Sequence, residues 1–187
     1  MIKAIIFDFF GVICSDDYWR YVRSGDQTGS IYKNYSTELN LGVMPWQTFV
    51  QLVADTLGST VEDVNKMYES AKIDPRMVGL IHELHQTYQT ALLTNAHHEF
   101  IDDLLETHKL TNIFDKTIIS SRLGIVKPNP QIFKHALDSL GVTASEVIYI
   151  DDLQQNITAA NALGIQAVLF KDFQSFQTDL AQILYHS

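Results

Sequence analysis

The sequence predicts an α/β fold: a doubly wound parallel sheet carrying a small all-helical insert after its first strand. Three observations predict it. Five short runs are apolar almost throughout, the pattern of parallel strands buried on both faces rather than the alternation of a half-exposed sheet. From Ile73 onward these runs alternate with segments of helical spacing, as in a parallel sheet covered by helices. Between about Ser15 and Ala71 that rhythm stops, and only helical patterns remain.

The first strand is the run Ala4 to Phe9, interrupted only by Asp8. The insert follows as "IYKNYSTELNLG", "PWQTFVQLVADTLG" and "TVEDVNKMYESA", with Gly42 and Pro45 dividing the first pair and Gly58 and Ser59 the second. Thr90 to Thr94 ("TALLT") is the second strand. In "HHEFIDDLLETH", Phe100, Leu104 and Leu105 share a helix face. Lys116 to Ser120 ("KTIIS") is the third strand. The helix after it starts at Pro130, whose missing N–H costs nothing in a first turn, and stops at Gly141. Glu146 to Ile150 ("EVIYI"), a helix ending at Gly164, and Gln166 to Phe170 ("QAVLF") complete the sheet. Phe173, Phe176, Ile183 and Leu184 read as the packing face of a last helix. The expected division is a core of residues 1–14 and 72–187 and an insert of residues 15–71.

Composition narrows the function. The chain's 187 residues suffice for one sizeable core and a small appended unit. With 22 acidic against 13 basic residues the net charge is −9, which disfavours nucleic acid and anionic membranes as partners. The single cysteine, Cys14, excludes an intramolecular disulfide and reads as a small buried hydrophobe. No apolar run reaches membrane-spanning length, and the N-terminal one is too short for a signal peptide, so a cytoplasmic location is expected.

In open α/β sheets ligands bind beyond the carboxyl ends of the strands. The polar residues stand there: Asp8 after "AIIF", Thr94 and Asn95 after "ALL", Asp151 and Asp152 after "VIYI". Lys127 stands in the loop "GIVKPNP", with Pro128 disfavouring helix at the residue before it. If these strands are neighbours, three carboxylates converge, and their repulsion raises a pKa or recruits a cation. Hard oxygen ligands of this kind suit Mg²⁺.

Taken in order, "FDFFGV", "LLTNA", "GIVKPNPQIF" and "YIDDLQQNITAANALGI" resemble the four motifs of the haloacid dehalogenase-like hydrolase superfamily. The insert resembles the small cap of the subfamily that holds sugar-phosphate phosphatases and the phosphatase-like domain of mammalian epoxide hydrolase. The resemblance implies a Rossmann-like core and hydrolysis of a small phosphorylated metabolite, with monomer and homodimer both open. It implies Asp8 as the nucleophile that forms an aspartyl-phosphate, and Thr94 as a hydroxyl bonded to the phosphoryl group, with Asn95 assisting. It further implies Lys127 as the cation that neutralises phosphate, and Asp8, Asp151, Asp152 and the Phe10 backbone carbonyl as the Mg²⁺ set.

One position departs from that pattern. Phosphatases of this kind carry a second Asp two residues after the nucleophile, which protonates the leaving group and later activates water; here it is Phe10. Either the substrate needs no proton, or another group supplies it, or the protein is a weak or inactive phosphate-binding relative. Dehalogenases of the superfamily also lack that acid, but the paired Asp151 and Asp152 favour phosphate. Arg20 and Arg23, three apart in "DDYWRYVR", form either a clamp for the substrate or a solvated face, with Tyr18 and Trp19 available to stack. His97 or His98 could replace the missing acid, although an exposed position is the plainer reading. His82 and His85 read as an exposed helix face.

Overall fold

The computed structural model describes residues 1–15, 28–69 and 71–185. Among these, β1 (Ala4–Phe7), β2 (Gln89–Thr94), β3 (Lys116–Ile119), β4 (Val147–Asp151) and β5 (Gln166–Leu169) form a parallel sheet ordered β3-β2-β1-β4-β5. All four residues of β1 are buried, as its unbroken apolar run requires. Alternate side chains serve opposite faces. Ile5 and Phe7 join one hydrophobic cluster, while Ala4 and Ile6 join the other.

Three expected strands are shorter in the structure, β5 ending at Leu169 rather than Phe170. β1 ends at Phe7 because the chain turns immediately after Asp8, with the Phe9 carbonyl accepting from the N–H groups of Ile13 and Cys14 at 2.9 and 2.8 Å. β3 ends at Ile119, and Ser120 opens the short α6 instead.

The helices are α1 (Thr28–Asn40), α2 (Trp46–Leu57), α3 (Val61–Glu69), α4 (Pro75–Leu84), α5 (His98–Thr107), α6 (Ser120–Leu123), α7 (Pro130–Leu140), α8 (Gln154–Ala162) and α9 (Phe173–Tyr185). Asp74 and Asn129 cap α4 and α7, accepting from the N–H groups of Arg76 and Gln131 at 2.9 and 3.0 Å, each one residue before a proline. These bonds satisfy donors that a helix start leaves open. None of the described helices is long and apolar enough to cross a membrane.

Among the described residues, α1, α2 and α3 form no hydrophobic cluster separate from that of the α/β body. Trp46, Phe49, Val50, Val53 and Ala54 follow the i, i+3, i+4, i+7, i+8 stripe of α2 and are all buried. They belong to the same hydrophobic cluster as Phe7, Ile13, Met77 and Phe100 of the α/β body. Burying one such large side chain is worth roughly 1.5–3 kcal/mol, so this face fastens the helical segment to the sheet. The end of α1 is pinned as well: the Ser120 hydroxyl donates to the Asn40 carbonyl at 2.7 Å. Gly42 follows at φ +72°, where a Cβ would lie 2.4 Å from the Ser121 carbonyl oxygen. Only glycine allows that approach without displacement.

Candidate active site

The strand order reverses between β1 and β4: the chain moves outward from β1 to β2 and β3, then returns to lay β4 on the other side of β1. The crevice at such a switch point is where doubly wound sheets bind ligands. Asp8 follows β1 and Asp151 ends β4, so the topology sets two acids side by side at the crevice. The Asp8 N–H donates to the Ile150 carbonyl at 2.9 Å, which fixes the register.

Lys127 bridges the pair. Its ammonium lies 2.9 Å from Asp8 Oδ1 and 2.7 Å from Asp151 Oδ2, and donates to the Leu93 carbonyl at 3.0 Å. All three side chains are buried. The Asn95 amide holds the Lys127 backbone from both sides, accepting from its N–H at 2.8 Å and donating to its carbonyl at 2.9 Å. Asn95 thus positions Lys127, a use of its side chain that the sequence does not disclose.

The two acids are solvated differently by the protein. Asp151 receives Lys127, the Tyr149 hydroxyl, the Leu153 N–H at 2.8 Å and the Asn156 amide at 3.0 Å. Burial pushes its carboxyl up, but Lys127 and these donors bring it below the ordinary carboxylate value. Asp8 receives Lys127 and the Phe9 N–H, both on Oδ1. Burial therefore dominates, with repulsion from Asp151 adding to it against the pull of Lys127, and the Asp8 carboxyl is held well above its usual range. Lys127 is opposed by burial, yet the two carboxylates carry it above its ordinary value.

Asp152 completes an acidic triad with Asp8 and Asp151, each offering one carboxylate oxygen within 4.8 Å of the others. Gly11 makes room for it: at φ +81°, a Cβ there would lie 2.4 Å from Asp152 Oδ2. Thr94 is fully buried, and its hydroxyl has no hydrogen-bond partner among the described residues.

A cavity of about 110 Å³ opens over these groups and is lined by Asp8, Thr94, Lys127 and Asp152. The rest of its wall combines aromatic side chains with the amides Asn40, Asn95 and Asn156. The Phe10 ring stacks on Phe100 at 5.9 Å and 15°, and Phe100 stacks on Trp46 of α2 at 4.8 Å and 8°. Tyr32 and Leu39 of α1 add further apolar surface. His97 also lines the cavity, buried rather than exposed, with its ring 6.1 Å from Trp46. Burial, together with the neighbouring His98, holds its imidazole below the ordinary histidine value. His82 is exposed as expected; His85 is half-buried, its Nδ1 2.9 Å from the Thr90 hydroxyl.

Asp8, Thr94, Asn95, Lys127, Asp152 and Phe10 all line one cavity, and Asp151 lies directly behind Lys127. Arg20 and Arg23, with Tyr18 and Trp19, lie outside the described residues. Sequence reasoning missed Tyr149, Asn156 and Trp46. Tyr149 stands two residues before Asp151 in a strand, hence on the same face, and that spacing was the available signal for it. Trp46 carries no local signal, because its role depends on how α2 meets α5.

The chain matches, over residues 2–164, the family model described as haloacid dehalogenase-like hydrolase. It is 28% identical over 205 aligned positions to the D-ribitol-5-phosphate phosphatase of Bacteroides thetaiotaomicron, covering 98% of this chain and 99% of that protein. It is 34% identical over 98 residues to the phosphoglycolate phosphatase of Aliivibrio fischeri, covering 52% of this chain but only 43% of that protein. A haloacid dehalogenase-family enzyme of Bacteroides thetaiotaomicron, crystallised with magnesium and inorganic phosphate, superposes with a TM-score of 0.74 at 22% identity, covering 91% of this chain and 95% of that one. The motif order, the switch-point acids and the family match agree: the chain belongs to the haloacid dehalogenase-like hydrolases.

Proposed function

We propose that the protein is a Mg²⁺-dependent hydrolase of small phosphate monoesters that acts through an aspartyl-phosphate on Asp8. The observation that carries this reading is the buried cluster of Asp8, Lys127, Asp151 and Asp152 beside the unpartnered Thr94 hydroxyl. A divalent cation fits these residues. Three acids against one lysine leave excess negative charge, and burial with the neighbouring Asp151 holds the Asp8 carboxyl above its usual range although Lys127 lies 2.9 Å away. Asp8, Asp151, Asp152 and the Phe10 carbonyl would hold it, and the phosphatase relatives and the magnesium- and phosphate-bound neighbour support the assignment. Mg²⁺ there supplies charge neutralisation for the attacking carboxylate and the phosphoryl oxygens.

Within this reading Asp8 attacks phosphorus through Oδ2, the oxygen not engaged by Lys127 and Phe9. Lys127 offsets charge on the transferring group, and Thr94 donates its hydroxyl to a phosphoryl oxygen. Residues 15–71 act as a cap over the site of the 1–14 and 72–187 core, supported by Tyr32, Leu39 and Trp46 reaching the cavity. p-Nitrophenyl phosphate should be turned over with Mg²⁺ and not after chelation. Thermal stabilisation by Mg²⁺ and phosphate, with no turnover of any ester, would instead establish a non-catalytic phosphate-binding protein, the reading that Phe10 favours.

Phe10 yields a separate expectation. Its side chain cannot protonate a leaving group, a contribution typically worth 10²–10⁴-fold. Phe10→Asp should therefore raise kcat/KM on alkyl phosphates by about tenfold or more, and change it little on p-nitrophenyl phosphate. Equal changes on both substrates would remove leaving-group protonation as the missing step.

A further inference from the structure

Resting on the phosphatase reading, we infer that His97 is the acid that protonates the leaving group, the part that Phe10 cannot take, and the base that afterwards activates water. Two observations converge on this residue.

The first is an imidazole placed in the cavity wall with no structural task. His97 follows Thr94 and Asn95 on the loop that leaves β2, and the Ala96 N–H ties that loop down by donating to the Ser120 hydroxyl at 3.0 Å. A side chain at the start of a helix commonly accepts from an open N–H, yet His97 makes no such bond to α5. Its neighbour His98 is committed: its N–H donates to the Ser121 hydroxyl at 2.8 Å, and its Nδ1 lies 3.2 Å from the same oxygen. His97 is 4% exposed, and its Nδ1 is buried with no hydrogen-bond partner among the described residues. Leaving such an atom unpaired is costly, and a bound substrate relieves that cost. The rings of Trp46, at 6.1 Å and 25°, and of His98, at 4.6 Å and 26°, stack on its faces. Those contacts do not engage the nitrogens, which lie in the ring plane.

The second is the inventory of proton carriers. Among the described residues lining the cavity, the ionisable side chains are Asp8, Tyr32, His97, Lys127 and Asp152. Asp8 is the nucleophile and Asp152 belongs to the metal set. Lys127 is held by Asp8 and Asp151, which carry it above its ordinary value and keep its proton on it. Asn40, Asn95 and Asn156 can orient a substrate but not ionise. Of the two groups left, an imidazole ordinarily titrates near about 6.5 and a phenol near about 10. Acid–base catalysis favours the group nearer the working pH, which is the imidazole. Burial, then His98, hold His97 below the ordinary value against the opposite pull of Glu99. Most molecules then carry it neutral at neutral pH. The substitution is partial, and an acid at position 10 still has something to add.

The protons balance without a further co-reactant. The bond from Asp8 Oδ2 to phosphorus forms as the bond from phosphorus to the leaving oxygen breaks. That oxygen keeps the electron pair, takes the proton of the His97 imidazolium and departs as an alcohol. The neutral imidazole then accepts a proton from the water that attacks phosphorus. The Asp8–phosphorus bond breaks, its electron pair returns to the carboxylate, inorganic phosphate leaves and the imidazolium is restored.

The test measures kcat/KM, with saturating Mg²⁺, on p-nitrophenyl phosphate and on propyl phosphate, whose leaving oxygen has far more need of a proton. The quantity read is the ratio of the first to the second. In His97→Gln that ratio should rise by about tenfold or more. It should rise likewise in His97→Phe, which keeps a ring beside Trp46 and removes both nitrogens. Because each ratio is taken within one variant, loss of folded protein cancels. Adding Phe10→Asp to His97→Gln should lower the ratio again, by about tenfold more than the same change does in the wild type. The assignment to His97 is overturned by an unchanged ratio in either His97 variant, by equal effects of Phe10→Asp in the two backgrounds, or by a wild type that turns over p-nitrophenyl phosphate but no propyl phosphate. A rise in Tyr32→Phe in place of the His97 variants overturns it too. All of these leave the phosphatase reading standing, whereas a wild type that turns over neither ester overturns the phosphatase reading itself.

Discussion

Asp8→Asn should lower turnover by about 10⁴–10⁶-fold, the range expected when a covalent nucleophile is removed, and in metal-free buffer it should raise the melting temperature. The two outcomes share one cause. The amide is nearly isosteric with the carboxylate and keeps an oxygen for the Lys127 and Phe9 donors that Asp8 Oδ1 now serves. It is, however, a poor nucleophile, and it carries no charge. Burial and the nearby Asp151 hold the Asp8 carboxyl well above its usual range. A carboxyl raised in this way stabilises the fold below its unfolded pKa and loses that contribution as pH rises through the folded pKa. The Asn variant has no such loss, so its advantage over the wild type should widen from acid toward neutral pH. Added Mg²⁺ should stabilise the wild type more than the variant. Calorimetry across pH with and without Mg²⁺, alongside turnover, reads every part. Retained activity would remove Asp8 as the nucleophile; a lower melting temperature at neutral pH would show that its charge stabilises the metal-free fold.

The acids at the strand ends were legible in the sequence because burial and charge conflict there. A central parallel strand has no use for Asp8 or Asp151, so each interruption marks a position, and the switch point between β1 and β4 brings the two together. Lys127 was legible as a residue but not as a bridge: its ammonium reaches two strands from a loop, which no local spacing encodes. Phe10 was visible as a departure, but its partners were not. Phe100 lies 90 positions away and Trp46 belongs to another helix, so the aromatic wall exists only after α2 packs on α5. His97 was open between a place in the pocket and an exposed one, with exposure the plainer reading because histidines usually are exposed; that same packing buries it in the cavity wall.

Lys127→Met should be the most destabilising single change at this site. Methionine fills the space of the aliphatic stem but leaves Asp8 and Asp151 facing each other without the ammonium that lies 2.9 and 2.7 Å from them. It also removes the donor to the Leu93 carbonyl. Taking one partner out of a buried ionic cluster costs about 3–5 kcal/mol, which for a chain of this size lowers the melting temperature by roughly 6–20 °C. Turnover should fall by at least about 10²-fold, since a group that stabilises developing charge is lost. The pH dependence identifies the cause. In the wild type the depressed Asp151 carboxyl contributes stability above its unfolded pKa, and loses it as pH falls through the lower folded value. Without Lys127, burial governs both acids and lifts both above their unfolded values. Their contribution is then full below those values and lost as pH rises. The stability gap between wild type and variant should therefore be smallest in acid and grow toward neutral pH, and added Mg²⁺ should narrow it by restoring positive charge. Melting temperatures from about pH 3 to 8 test this; a gap that stays constant across that range would mean that Lys127 contributes packing rather than charge.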